Sequence, residues 1–474
     1  MTPPQGELEA KLAALVKARV PGCQGLKHFE RLSAGASQET YALGVEPATD
    51  DVKLCLRRAP GGENVDDLEG RPGLRVEAQL IRLAAEAGVP EPRVLHVLDT
   101  EDDLGDGFLM EWLDGETLGA RVLRAEHLAD VRPKLAYQCG ENLARIHQLD
   151  LTGTGLDRML QVVQPAELID LNWERYQEFE TPQPMIDYAA RWLKEHVPAP
   201  VTPMLTHGDF RNGNLIIGED GVRAVLDWEL AHLGDPMRDL GHLCTNSWRF
   251  GQTDLPVGGF GTYEDLFAGY ESVSGHPVDA ERVKFWVVFG SFWWAIGCLG
   301  MADHFRTGPD GSIERAAIGR RSSECQVDCV NLIIPGPVDV IAPTPPSGSL
   351  DMPRADELIT GVRDYLRNDV MTETQGRINF MARVASNTLD IVLREAAIGP
   401  AAREQEHKRL THILGKSGDL EILRWDLVRA LRSGDMPLDE PGLADHLRAT
   451  VVNQIAIDQP KYSGFKTAVN WSAD

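Results

Sequence analysis

Positive charge is scarce in this chain: 47 Lys and Arg stand against 72 Asp and Glu, a formal net charge of −25. A surface of that sign repels nucleic-acid backbones and anionic lipid, so neither nucleic acid nor a membrane is expected as a partner. Cysteine is thin and scattered. None of the seven forms a C-x-x-C pair, and only Cys325 and Cys329 are spaced to share a helix face. That excludes zinc-ribbon spacing and points to reduced thiols in a cytoplasmic protein. The first residues are polar and acidic, so no signal peptide is read there. Long apolar runs are almost missing. The one exception, Phe285 to Ala302, is barely long enough to span a bilayer and carries Ser291 and three glycines, so a buried helix is expected. There is no internal repeat or low-complexity tract. At 474 residues the chain is too long for one ordinary domain, and two or three are expected.

What is present concentrates between Leu205 and Gly241, LTHGDFRNGNLIIGEDGVRAVLDWELAHLGDPMRDLG. The β-branched runs LIIG and VRAVLDW are split by Glu219-Asp220-Gly221, a hairpin signal. One turn leads into the hairpin and another leaves it, so Asn214 and Asp227 should lie close together. Such an arrangement suits phosphoryl transfer, which needs a carboxylate beside the attacking hydroxyl and oxygen ligands that hold Mg²⁺ on nucleotide phosphates. Asp209 is the candidate proton acceptor; Asn214 and Asp227 are the candidate metal ligands. A rival reading is a metallohydrolase built on His207, Asp209, Asp227 and His232, since H-x-D is a common metal pair.

The pattern H-x-D-x-x-x-x-N, then a hairpin, then a lone Asp resembles the catalytic and metal-binding loops of protein kinases. Gly208 in place of Arg, and Asp-Trp-Glu in place of Asp-Phe-Gly, resemble the aminoglycoside phosphotransferase and choline kinase branch more closely. The resemblance covers roughly residues 25 to 337. It implies an α+β, two-lobed protein-kinase-like fold with ATP and Mg²⁺ in the cleft and a small-molecule hydroxyl as acceptor.

The remaining elements are placed in that frame. A short helix to about Ala18 carries Leu8, Leu12, Leu15 and Val16 at helical spacing. Two strands follow around a small-residue turn holding Ser33, Gly35, Ser37 and Gln38, where backbone N–H groups would approach phosphates; the family's loop has Asn where Gln38 stands. In VKLCLRR, alternation puts Cys55 and Arg57 on one face and Leu54, Leu56 and Arg58 on the other. By resemblance Arg57 stands for the phosphate-contacting Lys, with Arg58 taking that place if the register slips by one. Glu77, on an amphipathic helix ended by Gly88, would pair with Arg57 and orient it. Met110 to Leu113 occupies the hinge, where backbone groups of Glu111 and Leu113 would bind the adenine edge. His147 and Asp239 are read as structural, Asp239 bracing the catalytic loop. Trp286, Phe289, Trp293 and Trp294 are expected mostly in the core, and Arg306 is a candidate for meeting an anionic substrate group.

IIPGPVDVIAPTPPSGSL reads as a linker. Beyond it, four amphipathic helices should bundle, and the block resembles a small helical family of unknown function that accompanies such phosphotransferases. Asp419 is placed as the cap of one helix, and Arg383, Asn387 and Arg394 as hydrogen-bonded core or interface groups. The expected architecture is therefore an N-lobe over residues 1–113, a C-lobe over 114–337, a linker over 338–352, and an all-α helical bundle domain over 353–474. The bundle would offer a surface for a second copy or a partner enzyme. The function expected is an ATP-dependent small-molecule kinase. The Arg-Arg strand and the Asp-Trp-Glu-Leu-Ala turn resemble the branch fused in animals to acyl-CoA dehydrogenases, which implies a hydroxyacyl thioester or related metabolite over an aminoglycoside. The alternative is a catalytically weak nucleotide-binding scaffold that docks a partner through its helical block.

Overall fold

The computed structural model describes residues 5–32, 38–47, 52–60, 71–308, 310–347 and 351–472. They divide into two compact units. The first comprises Met1–Pro165, Ala199–Cys244 and Trp248–Trp286; the second comprises Ala166–Pro198, Thr245–Ser247 and Val287–Asp474.

In the first unit a helix, Gln5–Arg19, precedes a five-stranded antiparallel sheet. Its strands are β1 (Cys23–Leu32), β2 (Glu39–Pro47), β3 (Val52–Arg58), β4 (Val94–Val97) and β5 (Gly107–Glu111), in the order β1-β2-β3-β5-β4. Period-two alternation sends Leu54 and Leu56 of the central strand to one face. There, with Tyr41, Leu43 and Leu109, they bury Leu8, Leu12, Leu15 and Val16 of the first helix. Arg57 is thereby turned to the opposite face, where the helix Leu74–Glu86 supplies Glu77. The loop-bearing part of the unit follows. Strand β6 (Met204–Thr206) pairs with β9 (His232–Gly234), and β7 (Leu215–Gly218) pairs with β8 (Gly221–Val225) as the expected hairpin. The helix Met237–Leu243 follows Asp235-Pro236, with Asp235 Oδ1 accepting the Met237 N–H at 3.0 Å.

The long apolar run forms part of the helix Ala280–Thr307, which is long and apolar enough to cross a membrane. Phe285, Trp286, Val288, Phe289, Phe292 and Ile296 are all buried inside the fold, as in a core helix, while Trp293 and Trp294 are half-buried.

The second unit is helical. Its four late helices are Ala355–Tyr365, Gly376–Leu414, Leu420–Ser433 and Leu443–Asp458. The second of these runs for 39 residues with Pro400 inside. Proline removes one N–H donor, but the run Ala-Ala-Arg-Glu-Gln-Glu after it consists of good helix formers that re-establish the ladder. Asp419 stands at the N-cap of the third helix without a side-chain capping bond. Arg394 caps the end of the fourth, donating to the carbonyls of Ile457 (2.5 Å) and Asp458 (3.1 Å). Asp187, on the helix Pro184–Glu195, is fully buried and accepts from Trp173 Nε1 (2.8 Å), Tyr176 Oη (3.0 Å) and Arg432 Nε (2.7 Å). All seven cysteines are free.

Candidate active site

The loop His207–Asn214 is held by a buried carboxylate behind it. Asp239 Oδ2 accepts the His207 N–H at 2.7 Å, and its Oδ1 accepts the Gly208 N–H at 2.9 Å. His147 Nε2 reaches the same carboxylate at 3.1 Å, and its Nδ1 meets the Tyr270 hydroxyl at 3.0 Å. Burial would raise the Asp239 pKa, but the hydrogen bond from His147, with Arg238 nearby, outweighs it and holds the carboxyl below its usual range. Gly208 has φ +83°, and a Cβ there would lie 2.2 Å from the Leu230 carbonyl oxygen. No arginine fits that position, which accounts for glycine in H-x-D. His207 is neutral, since burial lowers its pKa. Its Nδ1 accepts the Asp209 N–H at 3.2 Å and its Nε2–H donates to the Leu226 carbonyl at 3.1 Å. The ring packs on the buried Trp228, centroids 4.7 Å apart. Loop and hairpin exit are thus tied through one imidazole.

Asp209 is the point on which side chains converge. Arg211 Nε lies 3.1 and 3.2 Å from its two oxygens, His242 Nε2 donates to Oδ1 at 2.8 Å, and Asn214 Nδ2 donates to Oδ2 at 2.7 Å. Burial opposes the charge, yet Arg211 and His242 prevail and keep the carboxyl well below the usual carboxylate range. Asn214 Nδ2 also donates to the Asp209 carbonyl at 3.0 Å, which turns its amide oxygen the other way. The hairpin ladder continues to its base: Leu215 faces Val225, and the Leu226 N–H donates to the Asn214 carbonyl at 2.8 Å. Asp227 follows at once, in left-handed backbone with φ 72°. For a non-glycine residue that conformation is strained and is characteristic of functional sites. An amide oxygen on Asn214 and a carboxylate on Asp227, carried by the two ends of one hairpin, are hard oxygen donors of the kind that suits Mg²⁺.

The strand's pleat sends Arg57 and Arg58 to opposite faces. Arg57 Nη2 donates to Asp227 Oδ1 at 2.5 Å, and its Nε lies 3.1 Å from Glu77 Oε1, close enough for attraction but without a hydrogen bond's alignment. Arg58 points the other way and donates to the Leu104 carbonyl at 2.6 Å. Burial lowers the Arg57 pKa, but Glu77 and Asp227 more than compensate and raise it. Glu77, 1% exposed, is pushed up to about 7 by burial against the pull of Arg57.

Ser33, Gly35 and Ser37 lie outside the described residues. Glu111 ends β5, and its carboxylate accepts the Arg93 N–H at 2.8 Å; Leu113 is half-buried where the chain leaves the sheet. Among the described residues, no three of His207, Asp209, Asp227 and His232 bring ligand atoms together. His232 is instead bonded to Thr206 and to the Leu230 carbonyl, which removes the metallohydrolase reading. Two contacts of Asp209 went unread in the sequence. His242 sits three residues after Asp239, one turn along the same helix, a spacing that signals a shared face. Arg211 is only two residues from Asp209, and its stacking on Trp248 (4.6 Å to the ring centroid) has no local signal.

The comparisons agree with this geometry. The model of the phosphotransferase enzyme family matches residues 28–276, and that of a domain of unknown function (DUF6285) matches 372–462. Mouse acyl-CoA dehydrogenase family member 10 is 30% identical over 307 residues, 62% of this chain and 28% of the relative. The probable acyl-CoA dehydrogenase IBR3 of Arabidopsis thaliana is 27% identical over 380 residues, 73% of this chain and 45% of the relative. The chain therefore spans less than half the length of either curated relative. A solved structure from Ralstonia eutropha, named as a candidate aminoglycoside phosphotransferase, shares the fold with a TM-score of 0.54 at 23% identity, covering 68% of this chain and 97% of that one. With a family match over more than half its length and a kinase-like arrangement of loop, hairpin and strand, the chain belongs to the phosphotransferase enzyme family.

Proposed function

We propose that this chain moves the γ-phosphate of ATP to the hydroxyl of a small molecule, with Mg²⁺ held by Asn214 and Asp227. The observation that supports the reading is a hairpin with Asn214, bonded to Asp209, at its entry and Asp227, bonded to Arg57, at its exit. Asp209 faces the acceptor hydroxyl. A carboxylate this acidic orients the hydroxyl and takes its proton late, which is all that a loose phosphoryl-transfer transition state requires. Arg57 contacts phosphate, and Glu77 orients Arg57. Backbone groups of Glu111 and Leu113 take the adenine edge. When bound, Mg²⁺ neutralises charge on the phosphates.

For the acceptor we favour a hydroxyacyl thioester or related metabolite over an aminoglycoside. Two curated relatives carry acyl-CoA dehydrogenase names. The Arg211 guanidinium at Asp209 also sets a cation where a polycationic antibiotic would have to approach. The test is ADP release with a panel of hydroxyacyl-CoAs, sugars, choline and aminoglycosides. A hydroxyacyl-CoA should stimulate turnover and an aminoglycoside should not. Asp209→Asn should lower acceptor phosphorylation by about 10²–10⁴-fold while nucleotide still binds; full turnover in that variant refutes the assignment of Asp209.

A further inference from the structure

The second unit lines a half-open pocket of about 520 Å³, within the size range of small-molecule sites. Its wall comes from the start of the helix Pro184–Glu195, the last turns of Ala280–Thr307, and the helices Gly376–Leu414 and Leu443–Asp458. Most charges in that wall are mated. Arg424 forks onto Glu406 at 2.7 and 2.5 Å, and Arg320 reaches Asp458 at 2.6 Å and Glu395 at 2.9 Å.

Two groups break the pattern. Arg409 makes no ion pair among the described residues. It donates to Thr450 Oγ1 at 3.1 Å, and its buried Nε has no partner. That contact sets the guanidinium over the turn carrying His446, four residues before Thr450 on the same helix face. His446 is 1% exposed, and neither ring nitrogen has a hydrogen-bond partner. Burial, with Arg409 and Arg424 nearby, lowers its pKa to about 3, so the ring is neutral and keeps one N–H to donate. A chain of net charge −25 has carboxylates in excess, yet the one that attracts Arg409, Glu406, is already forked by Arg424, and among the described residues neither Arg409 nor His446 has a carboxylate in contact. Buried polar groups are normally paired, so unmet donors beside a cavity mark where an acceptor belongs. The rest of the wall includes Phe179, Met185, Phe305 and Val451, apolar surface for a hydrocarbon body.

We propose that this cavity binds a small amphipathic anion, its carboxylate or phosphate head on Arg409 and His446 and its apolar part against the apolar wall. The site lies wholly in the second unit and stands whether or not the phosphotransferase reading holds.

The test uses the full chain saturated with a non-hydrolysable ATP analogue and titrated calorimetrically with hexanoate, hexyl phosphate and 1-hexanol. Saturable binding of at least one anion is expected, with hexanol at least tenfold weaker; the stronger anion identifies the head group. Arg409→Met should weaken that binding at least tenfold and His446→Phe severalfold, with helical content and cooperative unfolding retained as the control for folding. Should Arg409→Met fail to fold, Arg409→Lys, which keeps the charge and loses the fork, should weaken binding severalfold. Absence of saturable binding of both anions at millimolar concentration, hexanol binding as tightly as the anions, or binding indifferent to the Arg409 substitution that folds would overturn the proposal.

Discussion

The pair behind Arg57 poses a sharp energetic question: whether burial or the ion pair governs Glu77. The carboxyl is moved from an ordinary 4.5 to about 7, because desolvation outweighs the attraction of Arg57. Between those two values the folded state holds a proton that the unfolded chain has released, so stability falls as pH rises through the window. The cost, for a fully buried group, is about 3 kcal/mol once pH exceeds 7, and it vanishes below 4.5. Other groups titrate nearby, His207 and His242 with the opposite sign because burial lowers theirs. The quantity to measure is therefore a difference: urea unfolding of the natural chain and of Glu77→Gln at pH 5, 6, 7 and 8. Relative to the variant, the natural chain should lose about 3 kcal/mol across that range. A difference that stays flat would mean that Arg57 keeps Glu77 ionised throughout, and one that grows in favour of the natural chain would mean that the ion pair wins. Either result defeats the argument that burial dominates.

Three further outcomes test other parts of the molecule. Asp239→Asn should destabilise by about 2–4 kcal/mol in urea unfolding, because the His207 and Gly208 N–H groups and His147 lose a charged acceptor; unchanged stability would show that Asp239 does not brace the loop. Arg211→Gln removes the cation that offsets the burial of Asp209, so the acid limb of kcat/KM should move to higher pH, while an unmoved limb would deny Arg211 that influence. In the second unit Arg432→Met should cost about 3 kcal/mol by leaving the buried Asp187 carboxylate without a cation, and adding Asp187→Leu should recover most of it; a double variant no more stable than the single one would count against an uncompensated charge.

Local features of the fold were legible wherever one residue's neighbours decide its state. The period-two pattern of VKLCLRR put Leu54 and Leu56 on one face, the face that packs on the first helix, and the apolar spacing of Leu8, Leu12, Leu15 and Val16 identified that helix. The turn Glu219-Asp220 gave the hairpin its register. Pro400 is a local stop signal, yet the helix Gly376–Leu414 runs through it because the turns that follow override it. Contacts between distant stretches left no trace to read: Asp187 and Arg432 meet across 245 residues, and neither sequence neighbourhood announces the other.

The candidate site divides along the same line. Asp209, Asn214 and Asp227 could be named because their spacing encodes a loop and a hairpin, and Glu77 because the resembling family pairs a helix glutamate with the residue that stands where Arg57 is. What spacing does not encode is the state of the groups it brings together. Nothing in H-x-D-x-x-x-x-N indicates that the aspartate is met by Arg211 and His242, yet those two contacts hold its carboxyl below the usual range despite burial. An aspartate with the same motif but without those donors would sit in a buried pocket with its pKa raised, and would be a different acid. Motif and chemistry are therefore separable in this family fold: the first is written in eight consecutive residues, the second in side chains that only packing brings to the carboxylate.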